Sequence, residues 1–163
     1  MISFLEKLSL RLSKWFCWIG GIALLILTGI ACANMVMRPL GAPLTGAYEL
    51  VGFLGALAVA LPLGYTQIFR SHISVDILAT RYSKRTNRIM NGITSFLCMI
   101  FFILVGWQTA KYATLIWKRG ETSETLRIIY HPFVYVVSLC CFLLAFVLFI
   151  EFLKSLGITK RER

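Results

Sequence analysis

The sequence predicts an all-α integral membrane protein that crosses the bilayer four times, with both termini in the cytoplasm. Three observations predict it. First, 58% of the 163 residues are hydrophobic and only 15% are charged, against about 25% charged in an average soluble domain. Second, the apolar residues fall into four uncharged runs: Trp15 to Met37, Leu50 to Phe69, Ile89 to Ala110 and Pro132 to Ile150. Each is close to the roughly 20 residues a helix needs to cross the hydrocarbon layer, and together they make up over half the chain. Third, the basic residues are segregated. Lys7, Arg11, Lys14, Arg70, Arg81, Lys84, Arg85, Arg88, Lys154, Lys160, Arg161 and Arg163 fall on one side of the runs, and Arg38, Lys118, Arg119 and Arg127 on the other. The positive-inside rule places the larger group in the cytoplasm. The net charge of +10 is thus a topology signal. No aromatic-basic motif accompanies it, so no nucleic-acid partner is expected.

The chain reads as one membrane domain, 1–163, with spans over about 15–37, 48–69, 89–117 and 132–153. Residues 1–14 form an amphipathic lead-in. Leu5, Leu8 and Leu12 share one face, and Lys7, Arg11 and Lys14 share another. This stretch suits an interfacial helix over anionic head groups, or a plain extension of span one. The first span is too long for the apolar core of a cleaved signal peptide, so it is expected to be retained despite the Ala31-Cys32-Ala33 triplet. It carries one amide, Asn34, near its outer end, and a short loop with Pro39, Gly41, Pro43 and Gly46 makes spans one and two antiparallel neighbours.

Span two places Gly52, Ala56, Ala60 and Gly64 on one stripe of small side chains. Such stripes allow close backbone approach in lipid, where packing drives association. The stripe packs either within the chain's own bundle or against another subunit. Pro62 removes the hydrogen bond to the Ala58 carbonyl and is expected to kink the helix. The cytoplasmic loop, 70–88, has an apolar face (Val75, Leu78, Ala79, Tyr82) and a basic one (Arg81, Lys84, Arg85, Arg88). It reads as a second interfacial helix over phospholipid, with Ser74 as its cap and Asp76 in its first turn. Span three is long enough to tilt or project outward. Trp107, Tyr112 and Trp117 form its aromatic belt, Lys111 snorkels beside them, and Gly120 ends it. Pro132 suits the first turn of span four.

No nucleophile, phosphate-loop or metalloprotease motif occurs. His72 and His131 are expected on opposite faces of the membrane and share no metal site. The five cysteines lie in spans with no CxxC pair, as packing residues. No span carries a charge near its midpoint, where an ion pathway would need one. No cofactor is expected. Glu49, at the outer start of span two, is explained by the helix dipole or by a polar contact to a partner. His72 and Asp76, four residues apart, suit a local pair.

Two segments resemble the small, DctQ-like membrane subunit of tripartite ATP-independent periplasmic (TRAP) transporters. They are Gly46-Ala47-Tyr48-Glu49-Leu50 at the head of span two and Ser71-His72-Ile73-Ser74-Val75-Asp76-Ile77-Leu78 after it. Many members carry two adjacent acids at the first segment, where this chain has Tyr48 and one acid. The resemblance implies a non-catalytic scaffold subunit of a sodium-coupled importer of organic acids in the bacterial or archaeal inner membrane. Its implied partners are a large membrane subunit holding the sodium and substrate sites and a periplasmic substrate-binding protein. A small subunit of another multi-component carrier, such as the tripartite tricarboxylate type, and a small four-helix membrane enzyme are the alternatives.

Overall fold

A computed structural model describes residues 2–69 and 84–155, and these are helical throughout apart from two loops and a break. The helices are α1 (Ile2–Met37), α2 (Ala47–Ala60), α3 (Leu63–Ile68), α4 (Lys84–Arg119) and α5 (His131–Ser155). Among the described residues, four helical spans, with α2 and α3 counted together, are long and apolar enough to cross a membrane.

The lead-in does not form a helix of its own. It runs into the first span as one 36-residue helix, because no glycine or proline interrupts the chain before Gly20. Helix α1 ends near Met37, as its composition predicts. The Ala42 amide reaches the Met37 carbonyl at 3.3 Å and the Gly41 amide the Arg38 carbonyl at 3.2 Å. Gly41 has φ 75°, so the turn has the left-handed geometry of a glycine-terminated helix end. Asn34 accepts a 3.1 Å hydrogen bond from the Leu44 amide, and in this way the amide of span one holds the first loop.

Span two is interrupted at Leu61 and Pro62, and a short helix, α3, continues it. The missing proline N–H accounts for the break. Helix α4 ends at Gly120, φ 64°. There the Glu121 amide bonds to the Ile116 carbonyl (3.3 Å) and the Gly120 amide to that of Trp117 (3.2 Å). This paired motif needs glycine at the left-handed position. Pro132 lies in the first turn of α5, where its absent donor costs nothing.

The helices do not close into a ring. Helix α5 is central and packs on α1, α2, α3 and, along most of its length, α4. In its most apolar window 44% of residues are buried, against 11% in α1 and in α4. A core of Ala60, Leu61 and Cys140, flanked by Phe16, Leu57, Val136 and Val137, sits where α1, α2 and α5 meet. Small residues set the spacing. A side chain on Gly20 would lie 3.1 Å from the Pro62 ring. One on Gly106 would lie 3.3 Å from the Phe142 ring, and the Gly106 carbonyl accepts a 2.8 Å bond from the Ser138 hydroxyl. The outward faces of α1 and α4 carry exposed large hydrophobic residues, among them Leu25, Met35, Leu97 and Leu104.

Candidate functional site

Among the described residues, a dense polar cluster lies where the head of α2 meets the loop between α4 and α5. That loop is a small hairpin. Thr122 and Ile129 form an isolated antiparallel bridge, the Ser123 amide bonds to the Ile128 carbonyl at 3.0 Å, and Arg127 takes φ 52°. The carboxylate of Glu49 fills the concave side. It accepts hydrogen bonds from the Ser123 hydroxyl, the Thr125 amide (2.8 Å) and the Leu126 amide (3.0 Å). Backbone donors at a tight turn are what an acceptor-only carboxylate is suited to hold.

Gly46 completes the seat. Its φ of 78° disfavours any side chain, and a Cβ there would collide with the Leu126 side chain, whose Cδ1 lies 2.6 Å away. Ala47 is buried beside it. The Gly46-Ala47-Tyr48-Glu49 segment therefore acts locally, with Gly46 admitting Leu126 and Glu49 binding the turn around it. Below, Phe53 stacks on Phe133 and Tyr130, with ring centroids 5.1 and 6.1 Å apart. The Tyr130 hydroxyl donates a 2.8 Å bond to Glu121, and that carboxylate holds the phenol above its ordinary pKa. Arg119 pairs with Glu121 at 3.4 Å, and Trp117 stacks on His131 at 6.0 Å.

A smaller polar cluster lies at the other end of the helices. Gln67 donates a 2.8 Å hydrogen bond to Glu151, joining α3 to α5. The buried Ser13 hydroxyl has no hydrogen-bond partner among the described residues and lies 3.0 Å from where a Gly64 side chain would begin.

The stripe on span two is half buried, and its exposed and buried parts divide between Ala56 and Ala60, within α2. Ala60 and Gly64 are buried, the latter against Ser13 and Leu143. Gly52 and Ala56 are exposed, and nothing lies within 4 Å of a Gly52 side chain. Lys7, Arg11 and Lys14 are exposed on α1. Lys84, Arg85 and Arg88 belong to the first turns of α4. His72, Asp76 and Arg81 lie outside the described residues, as does the expected cytoplasmic loop helix. Lys111 sits 5.4 Å from the Trp107 ring centre, within reach of a cation–π contact.

Sequence reasoning singled out Glu49 but not its partners. Ser123, Thr125 and Leu126 are 74 to 77 residues away, and no local spacing signals the contact. Phe53, Tyr130 and Gln67 were missed for the same reason, and Gly46, singled out in the family-like segment, was not linked to Leu126. Among the described residues no group of three or more His, Cys, Asp or Glu side chains could hold a metal. The cysteines are free, and Cys140 and Cys141 are buried in the helix core. The site can clamp a loop and tie helix ends together.

No curated protein and no solved structure matches the chain. Residues 27–157 match the family model described as tripartite ATP-independent periplasmic transporters, DctQ component. With the match extending from the middle of the first span to the end of the fourth, the chain belongs to the DctQ family, the small membrane component of these three-part transporters.

Proposed function

We propose that this chain is the non-catalytic scaffold subunit of a sodium-coupled, binding-protein-dependent importer of organic acids. It supports the large transport subunit laterally, and its clamped outer loop offers a rigid surface to the periplasmic binding protein. The observation that carries this is the open arrangement of the spans. Helix α5 is enclosed, while α1 and α4 turn most of their apolar surface outward. Helices that enclosed their own pathway would direct polar groups inward. Here the exposed faces are suited to packing against another membrane protein and lipid. The charge asymmetry supports an inner-membrane location with both termini cytoplasmic, so that the Glu49 clamp faces the periplasm.

Mild detergent extraction of the tagged chain tests this reading. The expected result is co-purification of a large membrane subunit, together with loss of organic-acid uptake when the small subunit is deleted. Recovery as a stable lone protein, with uptake unchanged by deletion, overturns it. A cysteine placed at Glu124 should react with an impermeant thiol reagent in intact cells, and one at Lys160 should not. The reverse result overturns the orientation.

A further inference from the structure

A groove of about 360 Å³ runs along the middle of α1 beside α3. Its walls are Lys14, Cys17, Trp18, Gly21 and Leu25 of α1, with Tyr65 of α3 opposite. The groove exists because α1 approaches α3 along another line. Gly20 faces Pro62, whereas nothing lies within 4 Å of a side chain built on its neighbour Gly21. The floor at Gly21 is therefore open, and the exposed Trp18 and Leu25 stand as its rims.

The groove is apolar along its length and cationic at one end. Lys14 marks that end, with Arg11 exposed one turn earlier. Lys14 has no carboxylate partner among the described residues. From Lys14 to Leu25 the helix rises about 16 Å at 1.5 Å per residue. That is about the depth of one leaflet in a hydrocarbon core of about 30 Å. An apolar slot of leaflet depth beneath a cation complements an acyl chain hanging below a phosphate.

We propose that this groove seats one anionic phospholipid. Its phosphate is held by Lys14 and Arg11, and one acyl chain lies over Gly21 between Trp18, Leu25 and Tyr65. The α1 wall precedes residue 27, where the family match begins, and the proposal rests on the membrane location of the chain, not on the transporter reading. The lipid would cover a surface where α1 and α3 separate.

The test uses the full chain in nanodiscs of phosphatidylcholine containing phosphatidylglycerol, with lipids retained after release measured by native mass spectrometry. The wild-type chain is expected to keep phosphatidylglycerol in preference to phosphatidylcholine. Lys14→Gln should reduce that preference about fivefold. Gly21→Leu, which fills the floor without meeting a neighbour, should lower retention of both lipids. Lys111→Gln and Gly29→Leu, outside the groove, should leave retention unchanged. Equal retention by wild type, Lys14→Gln and Gly21→Leu overturns the proposal. A photoreactive residue at Ile22, another groove residue, provides a second measurement in native membranes. A lipid adduct supports the seat, and a polypeptide adduct overturns it by showing that a protein fills the groove.

Discussion

The Thr125 amide donates a 2.8 Å hydrogen bond to Glu49, joining the N-terminal head of the second span to a loop 76 residues later. Two further donors, the Ser123 hydroxyl and the Leu126 amide, converge on the same carboxylate. One acid thus braces a turn whose own pairing is a single isolated bridge. Removing it should release the loop without unfolding the helices. In Glu49→Ala, the amides of residues 123–126 are expected to exchange with solvent faster, while those of α5 exchange as in wild type. Glu49→Gln, which keeps one carbonyl acceptor, should fall between. Unchanged exchange in the alanine variant would rule out the clamp.

Gly46 is constrained twice, by its positive φ and by the Leu126 side chain. A non-glycine residue in the left-handed region costs of order 1–3 kcal/mol. Gly46→Val should therefore lower the thermal midpoint more than Leu126→Ala does. Combining the two should recover only part of the loss, since trimming Leu126 relieves the collision but not the backbone. Full additivity in a double-mutant cycle would show that Leu126 is not the obstacle.

Gly20 tests the approach of α1 to the break in span two. A Cβ there would lie 3.1 Å from Pro62, so Gly20→Leu is expected to destabilise by about 1–3 kcal/mol through overpacking. Gly29→Leu adds the same atoms to the same helix where nothing lies within 4 Å, and should leave the midpoint unchanged. Equal effects would mean that helix propensity, not packing, governs both.

The divided stripe on span two separates folding from assembly. Ala60→Leu enlarges a buried position and should cost about 1–3 kcal/mol in the isolated chain. Ala56→Leu changes an exposed one and should leave the isolated chain's thermal midpoint intact. If Gly52 and Ala56 meet the large subunit, Ala56→Leu will lower the yield of the co-purified complex. If both yield and uptake survive, the exposed half of the stripe faces lipid.

Much of the backbone plan is legible because it depends on local chemistry. Pro62 cannot donate, so the helix breaks there. Gly120 tolerates a left-handed φ, so α4 ends there, and Pro132 starts α5. The continuous α1 was less legible. Charge periodicity over residues 1–14 suits an interfacial helix and an extended span equally, and only the absence of a breaker favours continuity. The central position of α5 left only a coarse mark in composition, as the most apolar of the four spans. Lipid and protein interior are both apolar, so hydropathy cannot separate a residue facing acyl chains from one facing another helix. Leu104 is exposed and Leu144 buried, although both lie amid apolar neighbours.

Four helical spans, the breakers that end or interrupt them, and a family resemblance carried by two short motifs can all be read from the chain alone. They follow from transfer free energies and backbone constraints that act within a few residues. The axial place of α5, the half-buried and half-free stripe on span two, and the clamping of the loop between α4 and α5 by Glu49 emerge only once the helices pack. Each depends on residues far apart in the chain meeting in space, and no local spacing encodes where packed helices bring them.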